Sequence, residues 1–480
     1  MTVNEFAERI YLNLPYDPND QQIQLIAALA RFCSPCHGDY SVFLLNGYAG
    51  TGKTSLTGAL VRALREADVP VVLLAPTGRA AKVFGRFASY PATTIHRRIY
   101  RGTEGGLLAY AGEVADNTLT NAVFIVDEAS MIGNEVSQSA DGVRRSLLDD
   151  LVQYVYSSQG CRMVLLGDTA QLPPVGCSQS PAMNVEVLKS YGLKVTRAVM
   201  TDVVRQDSHS GILYNATRLR KAMRLSPLPV PQLFIDRFRD VVSVTGEELE
   251  DELSRCYNES GITETLLVTR SNKRAVQFNL GIRSRILYRE EELCRDELLL
   301  VAKNNYLWSA RVKGLDFVAN GDTAIVESIY GMEEKYGFRF ADVNLRLPDR
   351  DMTFDCKILL DTLFSETASL EQERFAELYN AALTDEELFT PATPLRTRMR
   401  ILRSDPYVNA LQVKYGYAVT CHKAQGGQWQ DVFVDVGYIP SEAYTTLDFY
   451  RWLYTATTRA VGRLAFINPD KEIIFSKSQE

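Results

Sequence analysis

Short apolar blocks alternate with amphipathic stretches through the first third of the chain. Ser41–Asn46, Val69–Ala75, Val123–Val126 and Arg162–Leu166 read as buried β-strands, and Ile23–Phe32 as an amphipathic helix. Strands separated by helices need crossover connections, so the expected sheet is parallel. A second set of strands begins at Thr263–Thr269 and resumes at Val413–Cys421 and Val432–Val436. Residues 291–412 between them have another character. Leu298–Ala302, Asp322–Ile329 and Phe338–Leu347 read as strands, and Asp361–Leu388 as a long charged helix or helix pair. The pattern is that of an α/β protein whose second sheet is interrupted by an insertion.

Composition narrows this without redirecting it. The 480 residues exceed one core; at roughly 150 residues per domain they suggest about three. With 46% hydrophobic and 23% charged residues the chain is an ordinary globular one, neither disordered nor fibrous. No apolar run approaches the roughly 18–20 residues of a membrane span, and the first residues lack the pattern of a secretory signal. A net charge of −7 weighs slightly against a small nucleic-acid module, but a large enzyme can carry a local basic groove. Eight scattered cysteines form no disulfide framework, which points to a reduced compartment, the cytoplasm. Cys33-Ser34-Pro35-Cys36-His37 matches a haem-attachment pattern and half a zinc site. No second ligand pair accompanies it, and it reads as a loop after a helix.

Gly47-Tyr48-Ala49-Gly50-Thr51-Gly52-Lys53-Thr54 fits the P-loop pattern in full, after a strand and before a helix. Glycines let successive backbone N–H groups close around phosphate, with help from the helix N-terminus. Lys53 is placed to reach the β- and γ-phosphates and the Thr54 hydroxyl to bind Mg²⁺, with Ser55 following in the same turn. The strand Val123–Val126 delivers Asp127 and Glu128 at its end, the first suited to the Mg²⁺ shell and the second to activating water. Arg162–Leu166 runs into Gly167-Asp168-Thr169-Ala170-Gln171, where the Gln171 amide suits a γ-phosphate sensor.

These segments, with Ala75-Pro76-Thr77-Gly78-Arg79, Thr93-Thr94-Ile95-His96, Val204-Arg205-Gln206, Thr420-Cys421-His422-Lys423-Ala424-Gln425-Gly426 and Tyr454-Thr455-Ala456-Thr457-Thr458-Arg459, occur in a fixed order. Together they resemble the superfamily 1 helicases of the RecD-like and Dda-like group with a UvrD-like C-terminal domain. The resemblance runs from about Gln22 to Arg459. It implies two RecA-like P-loop domains with parallel sheets and ATP in the cleft between them. It also implies a small β-hairpin insertion in the first domain, and an SH3-like β plus helical, tower-like insertion in the second. The expected limits are 1–96 with 121–200 for the first domain, 97–120 for its hairpin, 201–290 with 413–480 for the second, and 291–412 for its insertion. Gln22 matches an adenine-reading glutamine, and Arg205 and Arg459 the arginines that reach the phosphates from the second domain. Gln428 stands where many relatives place a ribose-binding glutamate, which keeps hydrogen bonding but drops the charge.

The same resemblance lays single-stranded DNA across Thr77, Thr94 and His96 in the first domain and Thr420 and His422 in the second. Small hydroxyls and imidazoles on phosphates grip without reading sequence. Arg79, Lys82, Arg86, Arg97 and Arg98 add positive charge nearby, and Phe84, Phe87, Tyr306, Trp308 and Trp429 are candidate stacking aromatics. Gly105-Gly106 between apolar and aromatic runs signals a hairpin, with Tyr100 or Tyr110 exposed to wedge the strand junction. The implied activity is ATP-dependent 5′-to-3′ unwinding of DNA by a monomer on single strands and single-strand/duplex junctions, with a single-strand-binding protein as companion. An RNA helicase, a translocase without strand separation and an idle binding module are the competing readings.

Overall fold

The computed structural model describes residues 2–34, 40–100, 114–133, 136–138, 144–202, 210–235, 237–312, 315 and 318–475. Six strands form the first sheet in the order Ala92–Thr94, Val71–Ala75, Val123–Val126, Arg162–Gly167, Ser41–Gly47, Lys194–Met200, and every pairing is parallel. Ser41–Gly47 is buried along its whole length. Its side chains alternate faces: Phe43 and Leu45 pack with Leu29, Leu56 and Leu60, while Val42 and Leu44 pack with Leu148 and Leu151. Lys194–Met200, at the sheet edge, is only half-buried and mixes charged with apolar residues, which hides it from a search for apolar runs.

The second sheet is also wholly parallel, in the order Ala418–Thr420, Thr265–Thr269, Trp429–Asp435, Ala460–Ile467, Val241–Val244. The helices Gly211–Ala222 and Leu447–Thr457 cover one face through Ile212, Leu219, Phe449 and Leu453. Leu298–Val301, Thr323–Lys335, Phe338–Leu347, Met352–Leu359 and Leu411–Tyr415 close into a barrel. Its pairings are antiparallel except for the last two strands, which run parallel. The long hairpin turns at Tyr336-Gly337, both at positive φ, as a tight two-residue turn requires. Two parallel P-loop-type sheets with a small barrel in the second is the architecture the sequence implied.

Two expectations need correction. Val413–Cys421 is not one strand of the second sheet. Leu411–Tyr415 belongs to the barrel and Ala418–Thr420 to the sheet, and the chain changes partner at Gly416, where an added Cβ would lie 3.1 Å from Leu298. Nor is Asp361–Leu388 a long helix. Helix is confined to Gln372–Leu383, with a short one at Leu395–Leu402. Ser365 and Thr367 bond each other at 2.6 Å and then the backbone of Thr367 and Ser369, and such local bonds compete with a helix. The turn of the 97–120 hairpin lies outside the described residues; its two ends meet at an antiparallel bridge between Tyr100 and Val114.

Where the second sheet joins the barrel, the fully buried Glu297 accepts from Arg283 at 3.0 Å, Arg289 at 3.0 Å and the Tyr417 hydroxyl at 2.7 Å. Removing the carboxylate strands a buried guanidinium. Glu297→Ala is therefore expected to lose about 3–5 kcal/mol, read as a lower urea midpoint; an unchanged midpoint would show the pair to be dispensable.

Candidate nucleotide cleft and nucleic-acid track

The first sheet delivers its strand ends to one edge, and the P-loop leaves that edge between Gly47 and the helix Lys53–Glu66. Gly50 and Gly52 hold φ of +76° and +79°, which a side chain would strain. No side chain caps the helix start, and its first turn holds no acid, so its N–H groups and positive end are left for an anion. Thr54 and Ser55 lie in that turn. Gly47 lets the Lys53 chain lie close: an added Cβ would meet it at 3.1–3.3 Å.

Lys53 Nζ lies 4.0 Å from Asp127 Oδ1, with the two side chains 13% and 16% exposed. Burial pushes the Asp127 carboxyl up to about 6 against the pull of Lys53. For Lys53, burial acts to lower the ammonium's pKa, but Asp127, Glu128 and Asp168 outweigh it and the net shift is upward. Glu128 sits in left-handed backbone at φ +51°, a conformation costing about 1–3 kcal/mol in a non-glycine residue. Its Oε2 is buried without a hydrogen-bond partner among the described residues, as is Oε1 of Gln171. Buried orphan acceptors next to a P-loop lysine fit a site built for a polar ligand and water.

The helix Leu447–Thr457 brings the second domain to this edge. The Tyr454 hydroxyl accepts from the Ala49 N–H at 3.0 Å and donates to Asp168 Oδ2 at 2.7 Å. Thr455 Oγ1 accepts from the Leu172 N–H at 2.8 Å, and the Gln425 amide donates to the Leu172 carbonyl at 2.7 Å. Arg220 lies 4.4 Å over the ring of Tyr48. Arg459 is 3% exposed, and its guanidinium donates to the carbonyls of Thr455 and Gly427 and to the Thr458 hydroxyl. It is close enough to act electrostatically on Lys53, but reaching a phosphate requires it to leave those partners. Arg205 lies outside the described residues.

Gln22 does not present a free amide. It is 1% exposed; its oxygen accepts from the Asn19 N–H at 3.2 Å in a capping box, and its nitrogen donates to Tyr16 at 3.2 Å and the Thr51 carbonyl at 3.3 Å. Reading adenine would break this cap. The Asn19-x-x-Gln22 spacing ahead of an apolar run signals that capping role. Gln428 is exposed, and its carbonyl accepts from Arg79 at 2.9 Å.

The residues expected to grip a strand lie on both domains. Thr77 and Thr94 each cap a helix, accepting from the N–H groups of Ala80 at 3.2 Å and Arg97 at 3.3 Å. Gly426 at φ +73° packs on Thr77: an added Cβ would sit 3.3 Å from its hydroxyl. Thr420 and His422 follow on the second domain, at the end of Ala418–Thr420. Arg79 lies 4.0 Å over the ring of Trp429, which is 6% exposed and so offers no stacking face; Phe84 is buried too. Thr77, Arg79, Asn320, His422 and Lys423 line a cavity of about 130 Å³ where the two domains and the barrel meet. Lys82 Nζ is 3.3 Å from Asp349 of the barrel, and a Cβ on Gly78 would lie 2.6 Å from Asp322. Tyr100 is not an exposed wedge: its hydroxyl donates to Asp150 at 2.7 Å and its ring lies 5.8 Å from His96. Tyr110, Cys36 and His37 lie outside the described residues; Cys33 is buried, which pushes its thiol up to about 12.

Comparison with known proteins gives two family matches and several partial relatives. A family model described as an AAA domain matches residues 19–225, and one described as a UvrD-like helicase C-terminal domain matches residues 415–467. The chain is similar to the ATP-dependent RecD2 DNA helicase of Deinococcus radiodurans, 34% identical over 28% of this chain and 16% of the relative. It is similar to the ATP-dependent DNA helicase Dda of Enterobacteria phage T4, 31% identical over 29% of each. An uncharacterized protein of Acanthamoeba polyphaga mimivirus is 22% identical across 89% of this chain and 95% of its own. The chain thus spans less than a third of the RecD2 and Dda relatives. Among solved structures, forked-DNA complexes of Pif1 helicases align over 97% of this chain and 95% of theirs, with 16% identity and a TM-score of 0.48. The fold and cleft define a two-domain P-loop protein. With the two family matches and the ordered motifs, the chain is similar to the superfamily 1 helicases of the RecD-like and Dda-like group.

Burial pushes the His96 imidazole down from 6.5 to about 4. Folding therefore favours the neutral ring, and that stability is complete above the unfolded value and lost as pH falls from 6.5 toward 4. His96→Gln is expected to flatten the decline of the unfolding midpoint between pH 7 and 5. A decline as steep as that of the parent would show that His96 does not carry it.

Proposed function

We propose that the cleft hydrolyses ATP to drive 5′-to-3′ movement along single-stranded DNA and separation of duplex DNA. One observation carries the chemistry: a buried Glu128 oxygen without a partner among the described residues stands close enough to act on Lys53, beside the Lys53–Asp127 pair at the start of an uncapped P-loop helix. In this reading Gly47, Gly50, Thr51, Gly52 and Lys53 cradle the phosphates, with Thr54 and Ser55 closing the turn. Glu128 orients and deprotonates water, and Gln171 senses the γ-phosphate. Arg205 and Arg459 add positive charge on cleft closure. Thr54 and Asp127 are the residues that would hold Mg²⁺, which when bound neutralises phosphate charge. Asp127, protonated more readily because of its burial, is then held as a carboxylate by Lys53.

Thr77, Thr94, His96, Thr420 and His422 contact the strand backbone in the same reading. A neutral His96 donates a hydrogen bond without adding a cation, which suits a grip that must release at every step. The protein acts in the cytoplasm as a monomer beside a single-strand-binding protein. The similarity to RecD2 and Dda, both named as ATP-dependent DNA helicases, supports the DNA assignment.

Glu128→Gln is expected to keep ATP binding while slowing hydrolysis by about 10²-fold or more; Lys53→Ala should impair binding and turnover together. Turnover of Glu128→Gln at the parent rate would overturn the catalytic assignment. Polarity and substrate are read from duplexes with a 5′ or a 3′ tail, in DNA and in RNA. Unwinding of 5′-tailed DNA supports the proposal, whereas unwinding only of 3′-tailed DNA or only of RNA contradicts it.

A further inference from the structure

We infer that Tyr454 is a positioning residue that ties the P-loop backbone to Asp168 across the domain boundary, so that the second domain sets the geometry of the hydrolytic site before any arginine arrives. This inference rests on the ATPase reading above. Tyr454 lies on the helix Leu447–Thr457 and is 1% exposed. Its oxygen accepts from the Ala49 N–H at 3.0 Å, and its proton goes to Asp168 Oδ2 at 2.7 Å. Asp168, 2% exposed, uses its other oxygen to accept from the Ala170 N–H at 2.9 Å. The hydroxyl is the shared member of a relay: backbone donor, hydroxyl, carboxylate.

Four features argue that the relay orients rather than merely packs. Both bonds are made by the hydroxyl, so a ring without its oxygen would fill nearly the same space and lose both. Asp168 acts electrostatically on Lys53, so shifting this carboxylate changes the field at the phosphate-binding lysine. The next residue, Thr455, holds Leu172 N–H at 2.8 Å, so one turn of helix fixes both ends of the segment that carries Gln171. Arg459 donates to the Thr455 carbonyl at 3.0 Å, so any swing of the arginine starts from the same turn. A strand bound across both domains would thereby act on Ala49, Asp168 and Gln171 through one hydroxyl-bearing turn.

The test compares Tyr454→Phe with Tyr450→Phe. Tyr450 lies one turn earlier on the same helix and is also buried, but its hydroxyl donates to the Pro229 carbonyl at 2.8 Å, away from the P-loop. Tyr454→Phe, which removes the bond to charged Asp168 together with that from the Ala49 N–H, is expected to lower DNA-stimulated kcat by roughly tenfold to a hundredfold. KM for ATP and the affinity for a fluorescent ADP analogue should stay within about twofold, and the unfolding midpoint should match that of Tyr450→Phe. Tyr450→Phe should keep the stimulated kcat of the parent. A normal stimulated kcat in Tyr454→Phe, or equal losses in both variants, would overturn the inference. A parent enzyme without ATPase activity would instead overturn the reading of the cleft.

Discussion

An ammonium group drawn out of water beside three carboxylates sets the terms for the rest of this cleft. Lys53 is held charged by Asp127, Glu128 and Asp168 against the cost of burial, and those carboxylates are held on strand ends that cannot move independently. Val123–Val126 and Arg162–Gly167 are neighbours in the sheet, and Ser41–Gly47 lies next to the latter. The three loops that carry charge therefore leave adjacent strands at one edge. The hydrophobic layers on both faces serve this arrangement by fixing the register, since a slip of one residue would turn every charged loop to the wrong side.

The second domain meets that edge with hydrogen-bonding groups as well as an apolar contact, in which Ala170 and Leu172 join the second domain's hydrophobic cluster. Tyr454, Thr455 and Gln425 bond across to the first domain, and Arg79 of the first domain bonds back to the Gln428 carbonyl. Each is worth about 0.5–1.5 kcal/mol, or somewhat more where a charge takes part, so the contact is specific but not welded.

The P-loop, the paired carboxylates and the interrupted second sheet were legible in the sequence because each is local: Gly50, Gly52 and Lys53 lie within one turn, and Asp127 ends an unbroken apolar run. The Tyr454 relay was not, because its hydroxyl joins groups 405 and 286 residues away, and nothing in a tyrosine's neighbours announces such partners. Gln22 shows the opposite failure. Family position suggested adenine, while the local Asn19–Gln22 spacing already described the cap that the structure contains. Tyr100 was misjudged for want of Asp150, its partner in the fold. Leu411–Tyr415 was misassigned because an apolar strand carries no label saying which sheet it joins.

Gly78 has a topological consequence. With no side chain there, the barrel loop that carries Asp322 rests directly on the first domain, beside the Lys82–Asp349 pair. The cavity beneath is roofed as well as walled. An exposed ion pair of this kind contributes only about 0–1 kcal/mol, so the close approach at Gly78, which any side chain would spoil, matters more to this contact than the charges do.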